Sequence, residues 1–381
     1  MSGPANTAVP FAFAAAGPAS AAGPQALSIA APDDWHLHLR DGAALDAVVA
    51  ASARQFRRAI VMPNLRVPVT TVTMAAAYRE RILAALSAAS GRGEIDAARA
   101  TAFQPLMTLY LTEATTVAEI EAAKASGIVQ AVKYYPAGAT TNSDAGVGAI
   151  ERVTAVLAAM ERVGLPLLIH GEVVDTQVDL FDREAVFIDR ILEPLRRMMP
   201  GLRIVFEHIT TRDAAHYVRD AGGEAGTLGA TITAQHLLYN RNAIFTGGLR
   251  PHWYCLPVLK RERHRAALVE VATSGDPRFF LGTDSAPHAR LLKEHAAGCA
   301  GCYTAPHALE LYATLFEAMG ALDRFEAFAS RNGPAFYRLP VNPGQVTLRR
   351  ESWTIPETLP FGDTDIVPLA AGETLGWRLA S

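Results

Sequence analysis

The sequence predicts an α/β fold, a (β/α)8 barrel of the TIM type with a short C-terminal extension. Eight short runs rich in Val, Ile, Leu and Phe recur along the 381 residues, and segments with helical spacing of apolar side chains separate them. Their alternation spans about 250 residues, the usual length of such a barrel. An open doubly wound sheet is the weaker alternative, because no G-x-G-x-x-G motif follows the first run.

The apolar runs are the predicted strands, since continuous apolar runs are typical of parallel strands that are buried on both faces. They lie at 34–40, 58–64, 104–112, 128–136, 165–172, 203–211, 230–238 and 279–288. Apolar residues three and four apart predict amphipathic helices between the strands, at 72–90, 146–163, 184–199 and 258–274. A last helix near 306–320 closes the barrel, and the Pro-rich remainder from about 340 to 381 is the extension.

The chain divides into a predicted tail and one predicted domain. Residues 1–26 are mostly Ala, Gly and Pro, a composition that predicts a disordered N-terminal tail. No Lys or Arg precedes Arg40, so the basic start of a signal peptide is missing. We expect residues 27–381 to form a single barrel domain that includes the extension.

The composition favours a cytoplasmic protein that acts on a small molecule. The formal net charge is -3 and the basic residues are scattered, which provides no binding surface for nucleic acid. No stretch reaches the roughly 18 charge-free apolar residues that a membrane span requires. Three cysteines, Cys255, Cys299 and Cys302, are too few for a disulfide framework and fit a reducing compartment. We therefore expect neither a nucleic-acid nor a membrane partner.

Polar residues mark the C-terminal ends of most predicted strands, where barrels of this type place their catalytic groups. In chain order they are His36, His38, Arg40, Asn64, Lys133, His170, His208, His236 and Asp284. A single histidine at a strand end is usually a hydrogen-bonded structural residue. Several histidines and an aspartate that converge at one barrel mouth predict a metal site instead.

The segment DDWHLHLRDG, residues 33–42, places His36 and His38 on one side of a strand. Side chains alternate along a strand and residues rise roughly 3.3 Å each, so the two histidines lie about 7 Å apart at their bases and can reach one metal ion. Arg40 shares their side and lies nearer the mouth. A guanidinium there can hold an anionic substrate through two parallel hydrogen bonds.

Lys133 is unusual because it lies inside the apolar run VQAVKYYP in a chain with only four lysines. A buried ammonium group is costly and cannot bind metal. One explanation is that the side chain extends to the barrel mouth or pairs with a carboxylate. The other is that CO2 adds to the amine and forms a carbamate, whose two oxygens bridge two divalent metal ions that also share a hydroxide.

Seven motifs carry a specific resemblance. In order they are DDWHLHLRDG, AIVMPN, VKYYPAGATTNS, LLIHGE, VFEHITT, GGLRPHWYCLPVLKR and FLGTDSAPHARLLKE. Together they resemble the dihydroorotases of the shorter, stand-alone type (class II) within the amidohydrolase superfamily. The resemblance extends from about residue 30 to AGETLGW near the C-terminus. It implies a cytoplasmic, homodimeric enzyme that uses zinc to cyclise N-carbamoyl-L-aspartate reversibly to L-dihydroorotate in de novo pyrimidine biosynthesis.

The resemblance also implies the role of each site residue. Two zinc ions per chain are expected. His36, His38 and Asp284 match the ligands of the more buried ion, and His170 and His208 match those of the second. Lys133 matches an N6-carboxylysine that bridges both ions together with a hydroxide, and Asp284 also matches the catalytic base.

The substrate-binding residues follow from the same motifs. Arg40, Asn64 and His288 match the groups that hold the substrate carboxylate, and Leu256 and Ala300 match positions whose backbone contacts the ring amide. A mobile loop that closes over substrate matches at Thr140 and Thr141, although Gly138 stands in it where the family has a larger polar residue. His236 matches no assigned ligand.

Two other functions are compatible with a metal-binding barrel. A hydantoinase- or allantoinase-like cyclic amidase shares the metal site, but a hydantoin without a carboxylate has no use for Arg40, Asn64 and His288. A catalytically silent barrel that serves as an assembly partner is the alternative from another class, because a fold does not determine a function. Lost ligands are expected in such a protein, and no ligand position is missing here.

Overall fold

The computed structural model describes Phe11 and residues 24–221 and 226–380. Most of the predicted tail, residues 1–26, therefore lies outside the described residues. The division into a disordered tail and a single domain at 27–381 stays a prediction. None of the described helices is long and apolar enough to cross a membrane.

Eight of the described strands form one parallel sheet in sequence order, β2 to β9. The strands are β1 Ala26–Ala30, β2 Asp33–Leu37, β3 Arg58–Val61, β4 Gln104–Tyr110, β5 Val129–Tyr134, β6 Leu167–Ile169, β7 Ile204–Phe206, β8 Leu228–Ile232, β9 Phe279–Leu281, β10 Gln345–Thr354, β11 Leu359–Phe361, β12 Thr364–Ile366 and β13 Thr374–Leu379. All eight predicted barrel strands are confirmed. Each ends earlier than predicted, because the chain leaves the sheet at the mouth to form loops.

Helices follow the barrel strands and cover the outside of the sheet. The α-helices are α1 Ala43–Gln55, α2 Val72–Gly91, α3 Ala97–Ala102, α4 Val117–Ser126, α5 Thr154–Val163, α6 Arg183–Phe187, α7 Glu193–Met198, α8 Arg212–Ala221, α9 Ala234–Leu238, α10 Glu262–Thr273, α11 Arg290–Lys293, α12 Ala308–Ala318, α13 Leu322–Glu326 and α14 Asn332–Tyr337. Short π-helical segments at Ile188–Leu192 and Ala327–Arg331 join α6 to α7 and α13 to α14. The (β/α)8 prediction is confirmed.

Several helix ends follow from capping residues in the sequence. The Thr71 side chain accepts a hydrogen bond from Met74 N at the start of α2, and Thr116 accepts one from Glu119 N at the start of α4. Gly127 ends α4 in a left-handed conformation with φ of 70°, which a glycine adopts without steric cost. These residues therefore define where α2 and α4 begin and where α4 ends.

The barrel closes where β2 meets the chain that follows β9. The backbone N–H of His38 donates to Ser285 O at 3.1 Å, and Asp284 N donates to His36 O at 2.9 Å. On the N-terminal side of these two bonds, the buried Asp34 carboxylate accepts from Thr283 N at 2.9 Å and from Thr283 Oγ1 at 2.6 Å. This seam therefore joins the first and last barrel strands at the site end.

An irregularity in β2 changes which of its side chains face inward. In the pairing of β2 with β3, Asp34 lies opposite Ala59 and Leu37 lies opposite Val61, so three steps on β2 match two on β3. As a result the consecutive residues Trp35 and His36 both lie inside the barrel. Strict alternation predicts that only one of two consecutive residues, here His36 and not Trp35, faces inward.

The opposite end of the barrel is filled by aromatic side chains. Trp35 stacks on Tyr337 of α14, with ring centroids 4.3 Å apart and planes 9° apart. Gly333 lets α14 approach this closely, because a Cβ atom there would lie 1.9 Å from Trp35 Nε1. The cavity lined by the predicted site residues lies at the other end, the mouth.

The predicted C-terminal extension is confirmed, and it pairs with the start of the described chain. Strand β10 lies between β1 and β13 in a three-stranded antiparallel sheet, and β11 and β12 form a separate hairpin. Trp377 of β13 is buried and its Nε1 donates to Glu317 on α12 at 3.1 Å. The extension thus packs against the helical layer, and Asp365 of β12 accepts from Arg290 Nη1 of α11 at 3.0 Å.

Candidate metal centre and substrate pocket

His36, His38 and Asp284 form a buried cluster at the seam. Each offers a ligand atom within 4.8 Å of the others. Asp284 Oδ1 lies 3.1 Å from His38 Nε2 and 3.4 Å from His36 Nε2. Burial lowers the pKa of both histidines, so they are neutral imidazoles, the form that binds metal. The three residues can therefore hold one divalent ion.

His170 and His208, which follow β6 and β7, extend this cluster across the barrel mouth. The ring centroid of His208 lies 4.9 Å from that of His36 and 4.9 Å from that of His170. His208 Nδ1 is buried and has no hydrogen-bond partner among the described residues. A buried polar nitrogen without a partner is costly, so a ligand is expected at this atom.

Lys133 lies beneath the histidines and is fully buried. Within the described part of the chain, its Nζ makes no hydrogen bond, and burial lowers its pKa to about 8. Its Nζ lies over the ring of Tyr135, 5.1 Å from the ring centroid. A side chain that extends to solvent or forms an ion pair does not fit this environment.

Two buried carboxylates orient the histidines, and the sequence motifs did not assign them. Glu207 accepts from His36 Nδ1 at 2.7 Å and from Thr231 Oγ1 at 2.6 Å, so His36 Nε2 is left for a metal ion. Glu172 accepts from His170 Nε2 at 2.9 Å, which leaves Nδ1 free. Such partners fix the tautomer and the ring orientation of metal-binding histidines. The available signal was the presence of a glutamate within two residues of His170 and of His208.

The backbone at the site adopts unfavourable conformations. Arg40, His208 and Asp284 have φ values of 59°, 40° and 45°, in the left-handed region that non-glycine residues rarely occupy. Such conformations cost on the order of 1–3 kcal/mol each and cluster at functional sites. They turn the side chains from the ends of the strands into the mouth.

The predicted carboxylate-binding residues are neighbours. Arg40 Nη2 lies 2.9 Å from His288 Nε2, which is 3.0 Å from Ala300 O, and Arg40 Nε donates to Pro287 O at 3.1 Å. Burial and the Arg40 charge lower the pKa of His288 to about 2, so this ring is neutral. One guanidinium therefore provides the positive charge of the pocket wall.

The loop at 136–147 covers the site and is fastened to Asn64. Asn64 Nδ2 donates to Thr141 O at 3.0 Å, and Asn142 Nδ2 donates to Asn64 O at 3.0 Å. Gly138 has a φ of 79°, a conformation that favours glycine over the larger residue expected from the family. Thr140 and Thr141 of this loop line the cavity, so the loop forms part of its wall.

One cavity contains most of the residues that the sequence singled out, although Lys133 and His288 do not line it, and it adds Tyr135, Ala286 and Gly301. The lining residues are His36, His38, Arg40, Asn64, Tyr135, Thr140, Thr141, His170, His208, Leu256, Asp284, Ala286, Ala300 and Gly301. The position predicted for His236 was wrong. Strand β8 ends at Ile232, and the Thr233 side chain caps α9, so His236 lies on a helix and contacts Pro257 O at 3.0 Å.

Comparison with known proteins decides the family. The Amidohydrolase family pattern matches residues 30–351. A dihydroorotase of Cupriavidus necator is 69% identical over 354 residues, which cover 93% of this chain and 99% of that protein. The chain belongs to the amidohydrolase family, among its dihydroorotases. It is therefore a cyclic amide hydrolase, and neither the hydantoinase-like nor the silent-barrel alternative applies.

Solved structures agree with this assignment. Saccharomyces cerevisiae dihydroorotase in complex with 5-fluoroorotic acid matches with a TM-score of 0.84 at 30% identity, over 93% of this chain and 98% of that one. Campylobacter jejuni dihydroorotase matches with a TM-score of 0.82 at 35% identity, over the same shares. Membership implies a metal cofactor, and the histidine and aspartate cluster is suited to hold it.

Replacing Glu207 with Gln tests the orienting role of this carboxylate. The amide keeps the size of the side chain and removes the negative charge that makes His36 a better ligand. We expect the affinity for Zn2+ to fall about 10- to 100-fold, measured by chelator competition. Glu310→Gln is the control, because Glu310 is a buried carboxylate on α12 that contacts Gln55 and Leu379 instead. Equal zinc affinity in Glu207→Gln and the unmodified enzyme would contradict the role.

Proposed function

We propose that the enzyme catalyses the zinc-dependent, reversible cyclisation of N-carbamoyl-L-aspartate to L-dihydroorotate, a step of de novo pyrimidine biosynthesis. The observation that carries this proposal is the single cavity in which Arg40 lies beside the buried cluster of His36, His38 and Asp284. A carboxylate of the substrate can bind the guanidinium while its amide lies over the metal site. The names of the relatives support the same reaction.

We further propose two zinc ions per chain. His36, His38 and Asp284 would hold the first, and His170 and His208 the second. Lys133, as N6-carboxylysine, would bridge the two together with a hydroxide. The fit is supported by His208 Nδ1 and Lys133 Nζ, two buried nitrogen atoms that lack a partner in the described structure.

The environment of Lys133 favours the carbamate. Because its pKa is lowered to about 8, about a tenth of the amine is neutral at pH 7, far more than for an exposed lysine, and can attack CO2. The nitrogen of the neutral amine forms a bond to the carbon of CO2, one C–O π bond becomes an oxygen lone pair, and the nitrogen releases one proton. Together with the proton already lost from the ammonium form, two protons leave, and a cation becomes an anion. The cluster of neutral imidazoles then gains the negative charge that two adjacent dications require.

Asp284 is the proposed catalytic base and acid. When bound, the zinc ions would supply a water of lowered pKa and polarise the amide carbonyl. Asp284 would accept the proton of the attacking water and deliver it to the departing ring nitrogen. Its carboxylate lies within 3.4 Å of both histidines of the seam, which places it beside the proposed metal site.

The remaining residues would bind and enclose the substrate. Arg40, Asn64 and His288 would hold the carboxylate, so that the reacting carbon is fixed over the metal site. The backbone at Leu256 and Ala300 would bind the ring amide. Thr140 and Thr141 lie on the loop above the cavity and would exclude bulk water during the reaction.

We also propose that the enzyme acts in the cytoplasm as a homodimer. Three free cysteines, two of them buried, suit a reducing compartment. Large apolar side chains at Phe245, Leu249 and Leu291 are 59%, 75% and 70% exposed. Such exposed apolar side chains suit a contact between two copies.

Arg40→Met tests the carboxylate clamp and the substrate assignment together. Loss of a charged two-point contact should cost about 2–5 kcal/mol, or roughly 30- to several-thousand-fold in kcat/KM for L-dihydroorotate. Zinc content should not change, and Arg197→Met, at a side chain 79% exposed on α7, should behave like the unmodified enzyme. Unmodified enzyme should open dihydroorotate much faster than hydantoin. An unchanged kcat/KM in Arg40→Met, or equal rates on the two rings, would contradict the proposal.

Lys133→Ala tests the carbamate. The barrel should stay folded but bind zinc poorly, because the bridging anion between the two ions is gone. Added acetate should restore part of the activity, since its carboxylate offers the same pair of oxygens. Lys124→Ala, at an exposed lysine of α4, should need no acetate. Full zinc content and full activity in Lys133→Ala, without any carboxylic acid, would exclude the bridge.

A further inference from the structure

Lys293 is a second lysine whose burial calls for an explanation. It ends the short helix α11 and only 4% of its surface is exposed. Its Nζ donates to Tyr254 O at 3.0 Å, to Cys299 O at 3.0 Å and to Gly301 O. An ammonium group has three N–H donors, so all of them are used by backbone carbonyls.

These carbonyls belong to two separate segments of the chain. Tyr254 lies in the segment 254–257, whereas Cys299 and Gly301 lie in the loop after α11. A further bond between the two segments joins Gly301 N to Tyr254 O at 3.0 Å. Because a buried ammonium without partners is costly, each segment is held where the cation can reach it.

Both segments form the wall of the active-site cavity. Leu256, Ala300 and Gly301 line it together with the metal cluster. Within the described part of the chain, the N–H groups of Leu256 and Ala300 bind no protein acceptor. These two donors are therefore available to a ligand in the cavity.

We infer that Lys293 is a positioning residue for ring recognition. It fixes the two segments so that the N–H groups of Leu256 and Ala300 meet the carbonyl groups of the substrate ring. The inference rests on the proposed function, because a cyclic ureide presents alternating N–H and C=O groups that complement a peptide edge. Lys293 itself contacts the backbone and not the substrate.

The ring and the carboxylate of a ligand bind different parts of the cavity wall. The ring binds the wall that Lys293 holds, whereas a carboxylate binds Arg40, whose own contacts are Pro287 O and His288. Loss of Lys293 should therefore weaken ligands that contain the ring more than ligands that contain only carboxylates. General damage to the pocket would weaken both kinds equally.

The test compares Lys293→Met with Lys124→Met, which removes an exposed lysine of α4. Binding of orotate and of succinate to zinc-loaded protein is measured by calorimetry, and KM and kcat are measured for dihydroorotate. We expect the Kd of orotate and the KM to rise about tenfold or more, as for the loss of one or two hydrogen bonds. The Kd of succinate, the zinc content and kcat should stay within about threefold.

If Lys293→Met yields no folded protein, Lys293→Gln replaces it in the test. The glutamine side chain keeps an amide NH2 group that can donate hydrogen bonds. Unchanged orotate binding in the folded variant, or an equal loss of orotate and succinate binding, would overturn the inference. Calorimetry needs no turnover, so the inference is tested even if the unmodified enzyme fails to open dihydroorotate. That failure would instead overturn the proposed function.

Discussion

The seam between the first and last barrel strands is the constraint on which the site depends. Two backbone hydrogen bonds, His38 N to Ser285 O and Asp284 N to His36 O, join β2 to the chain after β9. They bring His36 and His38 to Asp284, although these residues lie at opposite ends of the barrel sequence. Without closure His170 and His208, which follow β6 and β7, would have no partner cluster.

Many buried polar groups lie close together at the site that this seam closes. Imidazoles that are neutral through burial, a fully buried lysine and the carboxylates of Glu207 and Asp284 share one interior. In the described structure several of their atoms, such as Lys133 Nζ and His208 Nδ1, have no partner. An apolar interior would be more stable at these positions, so their presence is explained by ligands that complete the cluster.

The sequence predicted the barrel and the residues that gather in its mouth, because parallel strands in chain order bring their C-terminal ends together. It did not predict where strands end, since the apolar spacing continues into loops that leave the sheet at Leu37 or Ile232. His236 was misplaced for this reason, although Thr233 was an available capping signal. Glu207 was not assigned because its position next to His208 does not show that it contacts His36, across the barrel.

The most direct test of this account is a crystal structure of active enzyme, grown with zinc and bicarbonate and measured at the zinc absorption edge. Two anomalous peaks are expected, one among His36, His38 and Asp284 and one beside His170 and His208. Carboxylate density attached to Lys133 Nζ is expected between the peaks. An unmodified Lys133 amine in an active, zinc-loaded crystal would exclude the proposed metal centre.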